Sequence, residues 1–404
     1  MDSFLPYLTG DSSVGLFSDQ YDDVYHSAYG ALTEAYEKFV NPIDLKNNVK
    51  SNINVLDICY GLGYNTKSLL NYIINNNLFA DKLTDSKKIN NINIDCIDIN
   101  SQLIKLSPFI KTNQNLPDKI IAKFFPKCAF NNLSKIDYKK IEKFIQETST
   151  QNPEYKINDL VNEVIILNLF RKYDNDLNSI SKYLSYKKLN RFLAPQMINF
   201  VKFYQNCRLK HTQSSLKGPN LHNIYYLYLS NRYKYDYLSL LDSMISINFH
   251  DIDARVSLSQ INDTYDYIFL DAFTTDKCPS LWSLEFIQLI YERMNDEGVL
   301  LTYTTSALVR NTMVSVGFSV GKILDSNNKP IGTICSKNSS KIQYKLNDFE
   351  SGLLNTKAGI PYRDFSLNSS DSAIIKKRLS DVDDSDLILS SHYVKQFKGV
   401  KNEI

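Results

Sequence analysis

Five short apolar runs, separated by stretches in which apolar positions recur at helical spacing, set the pattern of this chain. The runs are Asn54–Ile58, Ile92–Ile99, Met244–Phe249, Tyr265–Leu270 and Gly298–Thr304. Each has the length of a strand and is rich in β-branched, aromatic or leucine side chains. Amphipathic stretches that read as helices follow several of them: Lys67–Ile74, Ile252–Ile261, Ser283–Met294 and Ser306–Val316. Strands alternating with helices predict a mostly parallel sheet with right-handed crossovers. Two further strand-like pieces, Gly317–Ile323 and Gly332–Ser336, are placed to close that sheet as an antiparallel pair. The predicted class is therefore α/β, with seven strands in one sheet.

Between the second and third runs the pattern breaks. Residues 101–237 contain helical-looking stretches (Lys139–Glu147, Ile157–Phe170, Leu189–Tyr204), so a helical insertion is expected there rather than a loop. This gives residues 1–100 as an amino-terminal segment and the first half of the core, 101–237 as the insertion and 238–348 as the second half. Residues 349–404 form a tail whose Ser- and Asp-rich character predicts a segment wrapping the core or partly mobile. Charge sharpens the division. Residues 102–240 carry 22 Lys+Arg against 10 Asp+Glu, a local net of +12, whereas the whole chain is +2. The remainder therefore sums to −10. Within the insertion, Asn223–Tyr237 interleaves tyrosines with Arg232 and Lys234, the pattern of a base-stacking, phosphate-contacting surface.

The rest of the composition mainly excludes. At 43% hydrophobic and 22% charged residues the chain is an ordinary globular one, long enough at 404 residues for a sizeable core. No apolar run approaches the ~18 residues a membrane span needs. The amino terminus lacks the basic and apolar regions of a signal peptide, so a cytoplasmic protein, or one in an organelle matrix, is expected. Six cysteines and five histidines are scattered without C-x-x-C spacing, which argues against a metal site or a disulfide framework.

Chemistry concentrates at Asn54–Thr66, where an apolar run ends in a tight Gly61-Leu62-Gly63 turn and opens a helix. Strand, glycine turn and helix in that order make the first unit of a nucleotide-binding sheet. A third glycine is missing and no Lys-Ser/Thr pair directly follows the turn's last glycine, so neither the dinucleotide fingerprint nor the phosphate-cradling loop is complete. Asp57 lies within the strand, and a carboxylate before the turn suits a cationic or amine-bearing ligand such as S-adenosylmethionine. Asp98 ends the second run, where it can accept both ribose hydroxyls, although it stands 35 residues beyond Gly63 rather than the usual ~20. Asp251 ends the third, in reach of an adenine amino group, and Asp271 ends the fourth. One such aspartate is commonly a helix cap; four in one sheet are harder to dismiss.

Four stretches carry a resemblance. Asp271-Ala-Phe273, followed by Lys277, Pro279 and Trp282, resembles the Asp-Gly-Phe-x-x-x-Lys-x-Pro-x-x-Trp signature of the MnmC-type tRNA methyltransferases. Asp22-Asp-Val-Tyr25-His-Ser27, with Gly30 to Glu34 after it, is similar to that family's amino-terminal Asp-Asp-x-Tyr-Phe-Ser segment. Leu301–Arg310, with Gly317-Phe318, resembles its Thr-Phe-Thr block, and Ile360–Asp364 a segment of stand-alone members. Ala272 stands where the family has glycine, and Tyr60 precedes the first glycine where the family has phenylalanine. The resemblance implies a class I S-adenosylmethionine-dependent methyltransferase, a Rossmann-like seven-stranded sheet with a helical insertion. It implies methyl transfer to the 5-aminomethyl group of a tRNA wobble uridine, without the flavin-dependent oxidase domain of fused members. A separate FAD-dependent or other tRNA-modifying enzyme would then supply the aminomethyl group.

On that reading the cofactor residues are Asp57, Tyr60, Gly61, Gly63, Asn65, Asp98 and Asp251. Asp271 is the candidate catalytic carboxylate. Tyr25, Ser27, Phe273, Lys277 and Trp282 border the acceptor, and no metal is expected. The rival is an aminopropyltransferase of the spermidine synthase type, which shares the sheet and an Asp-Ala-Phe run, or another small-amine methyltransferase. Its glycine turn is usually richer, and its small substrate needs no basic insertion. A non-catalytic RNA-binding protein on the same scaffold ranks last, because all four aspartates stand.

Overall fold

The computed structural model describes residues 4–11, 13–18, 23–27, 29–80, 88–107 and 244–401. The helices expected at Lys139–Glu147, Ile157–Phe170 and Leu189–Tyr204, and the tyrosine-rich Asn223–Tyr237, lie outside the described residues. The chain divides into two compact units. One gathers the described residues of Met1–Glu34, Gly61–Asn71 and Ser101–Asp242, the other those of Ala35–Tyr60, Tyr72–Asn100 and Ser243–Ile404.

The second unit contains a seven-stranded sheet in the order β6-β5-β4-β7-β8-β10-β9. Its strands are β4 (Asn52–Ile58), β5 (Asn91–Ile97), β6 (Ile245–His250), β7 (Tyr265–Leu270), β8 (Met294–Thr302), β9 (Ser319–Leu324) and β10 (Pro330–Ser336). The first five pair in parallel, while β10 lies antiparallel between β8 and β9. All seven strands follow the hydrophobic pattern. β8 begins four residues earlier than its apolar run, because Met294 pairs with Tyr265 across an irregularity in the register.

The parallel strands are polar at one end and apolar at the other. In β4 and β5 asparagines alternate with buried isoleucines over the first half, and both faces are covered over the second. One face packs beneath α4 (Ala254–Gln260), α5 (Leu284–Glu292) and α6 (Ala307–Val316). Leu56, Ile58, Ile268, Leu270 and Leu300 meet Leu258, Phe286, Ile290 and Met313 there. Each fully buried side chain of this kind stabilises by roughly 1.5–3 kcal/mol. The helices start where the sequence supplies an acceptor: Asp253 takes the amide of Arg255 and Ser283 that of Phe286. On the other face Phe39 meets Phe269 edge-on, 5.7 Å between ring centres. Phe39 belongs to a π-helical turn, Ala35–Val40, that continues from α1 (Ala31–Glu34).

The tail is built of helices, α7 (Asp348–Leu354), α8 (Asp371–Asp383) and α9 (Ser390–Lys401). Its link Ile360–Asp364 is a clamp on the core. The Asp364 amide and the Arg363 guanidinium both donate to Glu285, and the wholly buried Asp364 carboxylate takes 2.8 Å and 3.0 Å bonds from Arg255 and the Ser369 amide. Burial pushes the Asp364 carboxyl up, but Arg255 and Ser369 outweigh it and hold it below the usual range.

The first unit contains a small antiparallel sheet, β1 (Phe4–Leu8), β2 (Val14–Ser18) and β3 (Asp23–Val24), which the hydrophobic pattern does not announce. Asp11 accepts from both the amide and the hydroxyl of Thr33 in α1, at 2.7 and 2.8 Å. A side chain at Gly30 would meet that carboxylate at 2.4 Å, and its φ of +154° suits glycine. The unit also holds the start of α2 (Tyr64–Asn75), and α3 (Ser101–Leu106).

Candidate active site

Sheet order places the candidate site. After β4 the chain adds β5 and β6 on one side, then crosses to add β7 and β8 on the other, so the topology reverses between β4 and β7. Ligands of open α/β sheets bind outside the carboxyl ends of the strands at such a reversal. The hydrogen-bond ladder runs past the strand ends there. The Asp98 amide donates to His250 O at 3.1 Å, Tyr60 to Ile97 O at 3.0 Å and Asp271 to Ile58 O at 3.2 Å.

Register turns this edge into a row. Ile97 pairs with His250, Ile58 with Ile97 and with Leu270, and Phe269 with Leu301. Carried just past the last pairs, the same registers set Asp251, Asp98, Cys59, Asp271 and Tyr303 side by side, one from each parallel strand. Neighbours in such a row are about 4.8 Å apart. Asp57 stands two residues before Cys59 and is wholly buried. The sequence-predicted carboxylates thus share one edge, with Asp251 exposed at its end, Asp98 8% exposed and Asp271 half-buried.

Cys59 is the residue sequence reasoning missed. Its φ of +64° is a left-handed conformation uncommon outside glycine, and Gly61 (+55°) and Gly63 (+78°) follow it. Three such residues in five turn the backbone sharply off β4. Burial pushes the Cys59 thiol well up, and Cys278, Asp98, Asp271 and Asp57 push it further. Strained backbone of this kind clusters at functional sites, and a cysteine inside the strand–glycine-turn motif was the available signal.

The loop after Asp271 is held from behind. Trp282 Nε1–H and Cys278 Sγ both bond to Phe273 O, at 2.9 and 3.4 Å. Burial first, then Asp371, pushes the Cys278 thiol up to about 12. Trp282 is 0% exposed within the core. It therefore does not face an acceptor, as the sequence suggested, but braces the half-buried Phe273; Lys277, also half-buried, lies on the same loop. Tyr362 of the tail abuts this loop, its carbonyl taking the Leu284 amide at 3.0 Å.

Gly61, Gly63, Asn65, Tyr25 and Ser27 belong to the other unit. There His26 meets Tyr64 edge-on at 4.9 Å, joining the Tyr25–Ser27 segment to the helix that leaves the glycine turn. The Ser27 hydroxyl donates to Glu34 at 3.0 Å. The wholly buried Lys67 reaches Ser107 O at 2.6 Å, and Ser107 Oγ donates to Leu62 O at 3.0 Å, which fixes the glycine turn from within.

A ligand with an ammonium, a ribose diol and an amino group is rich in donors. An edge of carboxylates preceding a left-handed turn is the complementary set, so the residues fit S-adenosylmethionine. The comparisons with known proteins agree. A sequence model of a family described as S-adenosyl-L-methionine-dependent methyltransferase matches residues 219–338. Over that span the chain is similar to that family, and its seven-stranded sheet fits the class I methyltransferase fold. The matched span holds Asp251, Asp271 and Tyr303 of the row. Along its length the chain is 22% identical to an uncharacterized protein of Methanocaldococcus jannaschii, covering 92% of the chain and 70% of that protein. Over 87 residues it is 34% identical to the tRNA 5-methylaminomethyl-2-thiouridine biosynthesis bifunctional protein MnmC of Pseudomonas entomophila, 21% of this chain and 13% of that one. The crystal structure of MnmC2 from Aquifex aeolicus matches over 95% of this chain and 86% of its own, with TM-score 0.52 and 18% identity. The motif resemblance to MnmC-type enzymes is thus met in sequence and in fold.

Among the described residues no helix is long and apolar enough to cross a membrane, and no cluster of His, Cys, Asp and Glu could hold a metal ion.

Proposed function

We propose that this enzyme methylates the primary amine of a 5-aminomethyl group on the wobble uridine of tRNA. The product is 5-methylaminomethyluridine, or its 2-thio form. The observation that carries the reading is Asp271, set at the tip of β7 beside the turn of the sheet's topology and followed by the Phe273–Trp282 loop. Support also comes from the partial likeness to MnmC, whose printed name concerns that nucleoside, and from the positive insertion.

S-adenosylmethionine, once bound, supplies an electrophilic methyl on a sulfonium. The residues proposed to receive it from this unit are Asp57, Tyr60, Asp98 and Asp251. The acceptor amine must arrive neutral and aligned behind the methyl carbon, and positioning can supply much of the acceleration. An aminomethyl group is largely protonated at neutral pH. Asp271 is proposed to take that proton and orient the lone pair. Phe273 and Lys277 border the acceptor, with Trp282 bracing Phe273.

The test is incubation with labelled S-adenosylmethionine and tRNA from cells lacking the modification, followed by nucleoside analysis. Label in 5-methylaminomethyluridine is the expected result. Cofactor binding without label in tRNA would move the acceptor to a small amine, as in the aminopropyltransferase alternative.

A further inference from the structure

The row at the carboxyl edge ends in a residue that the functional reading has not used. Tyr303 follows β8 and stands next to Asp271 in register, half-buried. Trp282 meets its ring edge-on, 6.4 Å between centres and 84° between planes. Over the same ring lies the ammonium of Lys38, 5.9 Å from its centre. Lys38 comes from the π-helical turn, a distortion frequent at functional sites. An aromatic ring carrying a cation, in the strand neighbouring a carboxylate, has the two elements that recognise an ammonium: a π face and a negative charge.

We infer that Tyr303 is a specificity-determining residue that seats the acceptor ammonium beside Asp271, and that Lys38 is the resident cation of that seat. The inference rests on the proposed function and names how the acceptor is told from an unmodified uridine. In the free enzyme Lys38 covers the ring. The incoming aminomethyl ammonium takes its place, while the Trp282 edge keeps the ring upright. The amine then loses its proton to Asp271 and attacks. A plain uridine has no cation to displace Lys38 and gains nothing from the ring.

The readout is a ratio. Affinity is measured for tRNA carrying 5-aminomethyluridine and for the same tRNA with unmodified uridine, so phosphate contacts cancel. Tyr303→Leu is expected to cut the discrimination about tenfold, and Tyr303→Phe, which keeps the π face, to preserve it. Lys38→Met is expected to raise it severalfold, because the competitor is gone. Unchanged S-adenosylmethionine binding shows that each variant is folded and that Tyr303 does not serve the cofactor. Equal discrimination by Tyr303→Leu and wild type would overturn the inference, as would Leu and Phe variants that behave alike. Failure of the parent reading looks different: the wild type itself would show no discrimination and transfer no methyl to either tRNA.

Discussion

The two ends of the parallel sheet are built from similar polar residues and do opposite things with them. At the amino end polar side chains pair with one another across the strands. Asn91 donates to Asn52 at 3.0 Å and Asn93 to Asn54 at 3.1 Å, rung by rung in register. Asp266 is bonded by Lys50, Asn295 and the Asn54 amide, between 2.6 and 3.0 Å. At the carboxyl end like charges gather instead, and Cys59 registers three of them. Gathering like charges costs stability; self-matched polar rungs add to it. The lesson is that polarity alone does not mark a site: what separates the ends is whether unlike or like groups stand side by side.

The largest expected break in that contrast is at the carboxyl end. Asp271→Asn should lower single-turnover methyl transfer by about 10²–10⁴-fold, with cofactor affinity, read by calorimetry, within about tenfold. Transfer at the wild-type rate would remove Asp271 from the chemistry. Next in size is the clamp beneath it. Asp364→Ala strips a buried partner from Arg255 and should cost about 3 kcal/mol in denaturant unfolding, against less than about 1 kcal/mol for Lys50→Met at the amino end. Comparable losses would mean the two ends are equally committed.

Acid sharpens the comparison further. Asp95, on β5 three residues before Asp98, is pushed up by burial, but bonds from His250, Tyr265 and Asn248 outweigh this and hold it below the ordinary carboxylate value. Tyr265 is driven up by its own burial and by Asp95. A depressed carboxyl contributes stability that is fully present above its unfolded value, near pH 4, and is lost as pH falls through the folded one. Asp95→Asn should therefore flatten the acid limb of a stability–pH curve measured by denaturant unfolding. The smallest effect is on reactivity. With its pKa raised, Cys59 should react with iodoacetamide at pH 7.5 far more slowly than free cysteine, measured by peptide mapping.

Much of the sheet was legible because its strands are continuous apolar runs: Tyr265–Leu270 is read to the residue. The start of β8 was not, since Asn295-Asp296-Glu297 are polar and lie in the register irregularity between the Met294 and Val299 pairs to β7. The amino-terminal sheet escaped for a similar reason, having short strands and a proline in the first. In the tail, mixed Ser and Asp content hid helices that begin at good caps, Asn347 and Ser370. Of the site, the aspartates could be read because an apolar strand ending in a carboxylate is a local signal. Cys59, Tyr303 and Lys38 could not. Their meaning comes from a backbone angle, a strand neighbour and a turn distant in sequence.

On the proposed function, the row of Asp251, Asp98, Cys59, Asp271 and Tyr303 makes strand register a condition of activity. Each strand contributes one member, so sliding any strand by one position would withdraw that member and present the next residue, turned to the opposite side. Sliding β7 forward by one would put Leu270 beside Tyr303 and leave every other strand untouched. Such a misassembled molecule would keep nearly the same composition in its interior and still lack a working site. Catalytic competence is thus an assay of correct pairing, and a preparation could be compact by every bulk measure yet inert in proportion to its slipped fraction.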